Sequence, residues 1–239
     1  MRRAGTVTAL TIERLLDAVK PGISTADLDH LAEKSIRGEG CIPSFKGYRG
    51  FPGSICTSLN QEVVHGIPSP RRVLREGDLL SLDVGAVWEG YHGDSAVSVF
   101  VGGAPSDVAE KLVRVTEDAL EAGISQIRPG GRLSDVGHAV QQVVEGAGFA
   151  VVREYVGHGV GRALHEDPQI PNYGEPGRGP KMKPGLVIAV EPMVNVGDWR
   201  TRVLADNWTV VTADGSLSAH FEHTIAITSE GPEVLTARG

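Results

Sequence analysis

The amino-acid sequence predicts an α+β fold built from two related halves. Three observations predict it: helical spacing of apolar residues in some segments, alternation of apolar and polar residues in others, and a resemblance between the two parts of the chain at a shift of 108 residues. The 239 residues, of which 41% are hydrophobic, suffice for one large core. No Pro- or Ser-rich linker separates the halves. We therefore expect a single domain over residues 1–239, with halves at roughly 1–108 and 109–239.

The repeated unit begins with a Pro-Gly turn and a helix. "VKPGISTADLDHLAEKSIRGEG" (19–40) aligns without gaps on "IRPGGRLSDVGHAVQQVVEGAG" (127–148), and each predicts a helix of about four turns that ends near a glycine. Downstream, "REGDLLSLD" (75–83) aligns on "KPGLVIAVE" (183–191), so Asp83 corresponds to Glu191. "HGIP" at His65 and "HEDP" at His165 correspond only with a short gap. We expect the two units to pack around a pseudo-twofold axis, with strands inside, helices outside and the acids near the axis.

The segment "LLSLDVGAVWEGYHGD" (79–94) predicts a hairpin that carries two acids. In its first strand Leu80, Leu82, Val84 and Ala86 face one way, and Asp83 lies on the opposite face, which is small and polar. After a turn near "WEGYHG", Asp94 lies opposite or diagonal to Asp83, with Cβ atoms roughly 5 to 8 Å apart. Carboxylates at that distance repel, so either one is protonated or a cation lies between them.

Three further residues favour the cation. "VIAVEPMVN" presents Glu191 on a strand, and "SLSAHFEHTIAIT" presents Glu222 on a strand face shared with His220. "YVGHGVGRALHEDP" adds His158 between glycines that leave its imidazole accessible. Two Asp, two Glu and one His suit two divalent ions about 3.5 to 4 Å apart. Each residue alone has a structural alternative, such as a strand end or a loop hydrogen bond, and only the combination indicates a metal site.

These segments together resemble the type I methionine aminopeptidases. The resemblance is carried by "PSFKGYRGFPGSICTSLNQEVVHGIP", "LLSLDVGAVWEGYHGDSAV", "VGHGVGRALHEDPQIPNYG", "VIAVEPMVN" and "DGSLSAHFEHTIAIT", and it covers nearly the whole chain. It implies the pita-bread fold, a duplicated architecture of the kind argued above. It also implies a site for two divalent metal ions. The implied ligands are Asp83, Asp94, His158, Glu191 and Glu222, and Asp94 and Glu222 would bridge the two ions.

The resemblance implies removal of the initiator methionine from the N-terminus of nascent proteins and peptides. Two metal ions would bridge a water, lower its pKa and provide the hydroxide that attacks the peptide bond. His65 is assigned to the substrate's amino terminus and the attacked peptide, and His165 to the scissile carbonyl. Glu191 would also transfer a proton from the water to the leaving amine. Fe, Mn, Co and Zn all accept such a site, so the metal is left open.

The resemblance further implies an apolar pocket for the methionine side chain. Its expected walls are Tyr48, Phe51, Cys56, His65 and Trp208, because aromatic rings and a thiol suit a flexible thioether. Ordinary core packing is the structural alternative for these residues.

Two positions depart from the family pattern. Leu164 stands where relatives usually have an aromatic residue, so we expect one pocket wall to be wider. His220 stands where Gln is common, and we expect it to donate to Glu222 or to alter metal affinity. The chain also begins late relative to relatives, without a preceding extension. Any transient ribosome contact is therefore expected to use this domain's own surface.

Composition and charge bear on partners and location. The net charge of −7 without a basic stripe predicts no direct nucleic-acid specificity. Cys41 and Cys56 are the only cysteines, which is typical of a reducing compartment. Thr11 and Glu13 interrupt any signal-peptide pattern, and no apolar run approaches the ~20 residues of a membrane span. We expect a cytoplasmic monomer without a membrane partner.

Two other functions stay open on the sequence alone. Prolidases and aminopeptidases P share the five-ligand chemistry, but they usually carry an additional N-terminal domain for which this chain has no room. A non-enzymatic pita-bread protein would use the same fold as an interaction surface, although such proteins generally lose the ligands. Hydrolysis of Met-Ala and Met-Gly peptides against X-Pro peptides tests the first, and metal titration tests the second.

Overall fold

Four α-helices are present in the computed structural model, which describes residues 1–239. They are α1 (Arg2–Ala18), α2 (Thr25–Gly38), α3 (Asp107–Ser125) and α4 (Leu133–Gly146). A single 3-10 turn covers Tyr48–Gly50. The bounds of α2 and α4 differ by 108 residues at both ends, which is the shift of the internal alignment.

The strands form four sheets, and all strand pairs are antiparallel. They are β1 (Ile42–Pro43), β2 (Ile55–Leu59), β3 (Glu62–Val64), β4 (Leu79–Trp88), β5 (Tyr91–Phe100), β6 (Ala150–Val151), β7 (Gly157–Gly159), β8 (Glu166–Ile170), β9 (Val187–Val190), β10 (Met193–Asn195), β11 (Thr201–Val203), β12 (Val210–Thr212), β13 (Ser218–His220), β14 (His223–Ile227) and β15 (Pro232–Val234). Sheet I contains β1, β2 and β5 around β4; sheet II has the order β15-β14-β9-β7-β8. Sheet III has the order β13-β10-β6, and sheet IV the order β11-β12-β3.

The predicted hairpin is formed by β4 and β5. Its two-residue turn consists of Glu89 and Gly90, whose φ angles of 50° and 77° are those of the type I′ turns that match strand twist. The ladder pairs Asp83 with Ala96, two residues beyond Asp94. The two acids are therefore diagonal neighbours on one face, as predicted.

The acid-bearing segments of the second half are each divided into two strands. Glu191 and Pro192 separate β9 from β10, and Phe221 and Glu222 separate β13 from β14. At each break the chain passes between sheet II and sheet III. The expectation of one continuous strand face around each glutamate is therefore wrong, because the chain changes sheet at the acid.

One hydrophobic core extends through both halves. It joins α1 and α2 to the inner face of β4, and α4 to β9 and β14, with fully buried members such as Ile12, Leu28, Leu82, Val190 and Ile225. Helix α1 packs on β4 and β5, and α3 packs on α4, β10 and β13. The strands are thus inside and the helices outside, as predicted. None of the helices combines the length and apolar character needed to cross a bilayer.

Candidate metal centre

The five predicted metal ligands come from five separate places in the chain. Asp83 lies in β4, Asp94 in β5 and His158 in β7, whereas Glu191 directly follows β9 and Glu222 directly precedes β14. All five line one cavity of about 250 Å³. Because β9 and β14 are antiparallel neighbours, the end of β9 lies beside the start of β14, which brings the two glutamates together.

Sheets I and II meet at Ala96 and Glu222. The Glu222 N–H donates to the Ala96 carbonyl at 3.0 Å, and the Ala96 N–H donates to the Glu222 carbonyl at 3.3 Å. The Thr224 hydroxyl donates to the Asp94 carbonyl at 2.7 Å and accepts from the Asp94 N–H at 2.9 Å. Since Ala96 pairs with Asp83 inside sheet I, these bonds bring the acids of the first half against Glu222.

The imidazole of His158 faces the acids with Nε2. Its Nδ1 lies 2.9 Å from the Gly159 carbonyl, which accepts the ring proton, so Nε2 keeps a free lone pair. Nε2 lies 3.4 Å from Glu191 Oε1 and 4.0 Å from Asp94 Oδ2. One ligand atom each from Asp94, His158 and Glu222 lie within 4.8 Å of one another. A backbone acceptor for the second ring nitrogen is typical of metal-binding histidines.

The glycines beside His158 are required by strand packing. A Cβ at Gly157 would lie 2.3 Å from the Ala189 carbonyl oxygen, and one at Gly159 would lie 2.3 Å from the Asp167 carbonyl oxygen. Only glycine therefore allows β7 to lie this close to its neighbours. The glycines therefore do more than leave the imidazole accessible. They allow β7 to pack closely between β8 and β9, and this packing sets the position of the His158 ring.

The carboxylates are largely buried, and three of the four leave an oxygen unpaired. Asp94 and Glu222 are 4% and 2% exposed, and one oxygen each of Asp83, Asp94 and Glu222 has no hydrogen-bond partner. Burial raises the pKa of Asp83 to about 7. Burial first, and then repulsion between the carboxylates, raises the pKa of Asp94, Glu191 and Glu222 well above the usual range. Buried oxygens without donors are the groups that a cation satisfies, so these residues fit divalent metal ions.

The two predicted catalytic histidines, His65 and His165, line the same cavity. The His165 ring lies 4.1 Å from the His158 ring between centroids, and its Nδ1 lies 3.0 Å from the Tyr48 hydroxyl. His65 has a φ of 61°, a left-handed conformation that is uncommon outside glycine. Burial lowers the pKa of His165 to about 3 and that of His65 to about 4, so both imidazoles are neutral near pH 7. The imidazoles within 4.0 Å of the site's carboxylates are instead those of His158 and His220.

The predicted apolar wall is assembled beside the acids. Tyr48, Phe51, Cys56, His65 and Trp208 all line the cavity. The rings of Phe51 and Trp208 pack edge to face at 5.1 Å, and the Trp208 ring lies 6.1 Å from that of His65. Cys56 is buried opposite Asp83 in the ladder, and burial raises the pKa of its thiol well above the usual range.

Several wall residues were not predicted from the sequence. Phe45, Val64, Tyr155 and Met193 also line the cavity. Met193 carries the clearest sequence signal, since it follows Glu191 by two residues. Phe45 lies in a loop segment without periodicity, and only its packing against Phe51 and Leu164 reveals it. Leu164 is 2% exposed within this wall, and a wider pocket there stays a prediction.

His220 faces Glu191 and not Glu222. Its Nε2 lies 3.7 Å from Glu191 Oε2 and has no hydrogen-bond partner. The expected donation to Glu222 is not made because β13 ends at His220 and the chain turns before Glu222.

Comparisons with known proteins show the family of the chain. Metallopeptidase family M24 matches residues 1–229. Methionine aminopeptidase 1 from Bacillus subtilis is 59% identical over 99% of this chain and 94% of its own length. The crystal structure of methionine aminopeptidase from Thermotoga maritima is 49% identical, with a TM-score of 0.97 over 100% of this chain and 95% of that one. Prolidase from Pyrococcus furiosus, 20% identical, has a TM-score of 0.79 over 100% of this chain and 63% of its own.

The prolidase similarity concerns the fold alone, because its sequence identity is low. Together with the Thermotoga structure it confirms the predicted pita-bread fold. The family match and the extent of sequence identity confirm the resemblance stated from the motifs. The chain belongs to metallopeptidase family M24 and, within that family, to the methionine aminopeptidases.

Proposed function

We propose that the protein is an aminopeptidase that removes N-terminal methionine from polypeptides, including the initiator methionine of nascent chains. The observation that carries this function is the convergence of four largely buried carboxylates, three of them with an unpaired oxygen, and one imidazole on a cavity with an aromatic wall. Such a cluster is costly to bury unless cations bind there. The names of the relatives support methionine as the residue that the aromatic wall accepts.

Two divalent metal ions are the proposed cofactors. The ligands would be Asp83, Asp94, His158, Glu191 and Glu222, with Asp94 and Glu222 shared between the ions. Four carboxylates carry more negative charge than one divalent ion neutralises, which favours two. When bound, the ions would lower the pKa of a water towards neutrality and stabilise negative charge on the peptide carbonyl oxygen. Mn, Fe, Co and Zn are each compatible with this ligand set.

The cavity suits a methionine at a chain end. Phe51, Trp208 and Cys56 offer the aromatic and sulfur contacts that favour a thioether side chain. Because the metal-binding carboxylates beside this wall are largely buried, a free chain terminus reaches them more readily than an internal peptide segment does, which accounts for exopeptidase activity.

The neutral histidines would act on the peptide itself. If the Tyr48 hydroxyl donates to His165 Nδ1, the ring proton is on Nε2, where it stabilises the oxyanion formed from the scissile carbonyl. His65 would bind near the substrate's amino terminus. Glu191 would transfer the proton of the attacking water to the leaving amine.

Metal analysis and a substrate comparison test this function together. Anaerobically purified protein is titrated with Mn(II) by calorimetry, and its hydrolysis of Met-Ala and Met-Gly peptides is compared with that of X-Pro peptides. We expect two ions per chain and a preference for the methionine peptides. Preference for X-Pro substrates would instead identify a prolidase-like enzyme. Absence of divalent-metal binding would favour a non-enzymatic interaction protein.

We also propose that the protein acts as one domain over residues 1–239, as a monomer in the cytoplasm. The small number of cysteines and the single core through both halves support this view. Light scattering after size exclusion tests the monomer, and a single unfolding transition tests the one domain. Co-sedimentation with ribosomes tests transient ribosome contact.

A further inference from the structure

We propose that His220 is a positioning residue for Glu191, holding its carboxylate in the orientation that binds metal. The inference depends on the metal site proposed above. It assigns to His220 a role that lies outside the five ligands, the two catalytic histidines and the methionine pocket.

Glu191 lies between two imidazoles. Its Oε1 is 3.4 Å from His158 Nε2, and its Oε2 is 3.7 Å from His220 Nε2. The backbone of Glu191 is fixed, because its carbonyl accepts from Asn172 Nδ2 at 3.0 Å and β9 ends one residue earlier. Its carboxylate, however, receives no hydrogen bond from any other side chain or from the backbone. His220 is therefore the protein group placed to restrain Oε2.

The position of His220 is itself fixed on both sides. Its N–H donates to Ser98 Oγ at 2.9 Å, and the Ser98 hydroxyl donates to its carbonyl at 2.9 Å. It also pairs with Met193 between β13 and β10. The side chain is 2% exposed, so the ring is held by packing as well as by its backbone.

The neighbours of the ring favour a proton on Nε2. Nε2 is buried without a partner, and the carboxylate of Glu191 is the acceptor that faces it. A neutral imidazole with its proton on Nε2 donates to that carboxylate, whereas the other tautomer would set a lone pair against it. An approach closer by about 0.5 Å would bring the 3.7 Å separation within hydrogen-bond distance.

This contact would leave one oxygen of Glu191 for the metal. With Oε2 held by His220, Oε1 stays directed towards the side of the cavity that His158 Nε2 faces. Partners that orient metal ligands in this way contribute about 10- to 100-fold to metal affinity. His220 would therefore act on how tightly metal is held, through Glu191, without touching substrate.

Metal affinity measured on four variants tests the role. Mn(II) is titrated calorimetrically into the wild-type full chain and into His220→Phe, His220→Leu, His220→Gln and His65→Asn. Phe keeps a ring without a donor, Leu removes both, and Gln restores an N–H donor. His65→Asn is the matched control, since it replaces a buried imidazole of the same cavity at a position whose φ of 61° Asn tolerates. Near-ultraviolet circular dichroism of the metal-free proteins selects the variants that keep the native fold.

We expect His220→Phe and His220→Leu to weaken Mn(II) affinity by about 10- to 100-fold, and His220→Gln and His65→Asn to stay close to wild type. Wild-type affinity in a folded Phe or Leu variant would overturn the proposal. So would a Gln variant as weak as the Phe variant, because ring packing and not donation would then be the cause. Failure of the wild-type protein to bind Mn(II) would instead overturn the metal site itself.

Discussion

The two halves of the molecule present their acids in different ways. In the first half, Asp83 and Asp94 lie within two uninterrupted strands of ten residues each. In the second half, the corresponding strand β9 has four residues, and Glu191 and Glu222 stand where the chain passes between sheets II and III. The duplication has therefore kept the position of the acid and not the length of the strand that carries it.

The broken strands bring a second wall to the site. Strand β10 of sheet III begins two residues after Glu191 with Met193, which pairs with His220 at the end of β13. Both side chains line the cavity. An uninterrupted strand like β4 would have continued along sheet II and left this side of the cavity without these residues. The first half thus supplies a pair of acids on two long strands. The second half supplies two acids and also the cavity-lining residues Met193 and His220.

The helical parts of the two halves differ much less. The N–H of Gly22 donates to the Leu74 carbonyl at 2.9 Å, and the N–H of Gly130 donates to the Met182 carbonyl at 2.9 Å, again 108 residues apart. The turn before each helix is thus tied to the same point of the following loop. Divergence between the halves is concentrated at the strands that carry the site.

The largest effect is expected from removing one shared acid from each half. Asp94→Ala and Glu222→Ala should each lower kcat/KM by more than about 10³-fold, because each would take a ligand from both metal ions. The metal-free fold should persist, since each change removes a buried carboxylate without a partner. Peptide hydrolysis and metal content at matched concentrations measure the effect. Full turnover at matched metal occupancy in either variant would contradict the shared role.

The next largest effect concerns His65 and His165, which correspond between the halves only when a short gap is allowed. His65→Ala and His165→Ala should lower kcat by about 10²- to 10³-fold, as loss of an oxyanion donor does, while bound metal changes little. Turnover and metal content are measured on the same preparation. If His65→Ala loses metal more than turnover, His65 is a ligand and its assignment to the substrate fails.

A smaller effect is expected in how the free energy of unfolding of the metal-free protein depends on pH. Burial raises the pKa of Asp83 to about 7 when folded, whereas the unfolded chain keeps a value near 3.9. Between about pH 4 and 7 the folded state therefore binds more protons. Stability relative to Asp83→Asn should be highest at the acidic end and should fall by up to about 1.4 kcal/mol per pH unit as the pH rises through this range.

Urea unfolding in the presence of a chelator, at a series of pH values, measures this difference between wild type and Asp83→Asn. Saturating Mn(II) should remove the decline, since bound cations favour the ionised acid. If the stability of the metal-free wild type relative to Asp83→Asn increased with pH, Asp83 would not be held in its protonated state.

The smallest expected effect is on the free energy of unfolding, and it should differ between the N-termini of α2 and α4. At the start of α2, the Asp27 N–H donates to Ser24 Oγ at 3.2 Å and the Ser24 N–H donates to the Asp27 carboxylate at 3.0 Å, which forms a capping box. At α4 only the second bond has a counterpart, from the Arg132 N–H to Asp135 at 3.1 Å. Ser24→Ala should lower the free energy of unfolding by about 1 kcal/mol, and Arg132→Ala by less than about 0.5 kcal/mol. Equal losses in thermal unfolding would contradict this asymmetry.

Local patterns were sufficient wherever neighbours in sequence are neighbours in space. The alternation around Asp83 predicts the hairpin and its diagonal acid pair, because side-chain period and turn geometry are local properties. The same reasoning is wrong for Glu191 and Glu222. Their segments alternate as strands do, but nothing local indicates where a chain leaves one sheet for another. Metal roles for the five residues stay a prediction until metal binding is measured.

The amino-acid sequence by itself determined the two repeated helices α2 and α4, the hairpin, the repeat and the family, since these depend on periodicity, turn chemistry and motifs along the chain. Tertiary structure alone decided that His220 faces Glu191 and that Phe45 joins the aromatic wall. It also decided that the glycines around His158 allow β7 to pack between β8 and β9. These contacts depend on how separate sheets meet. A side chain's partner across such a junction is chosen by packing between segments far apart in the chain.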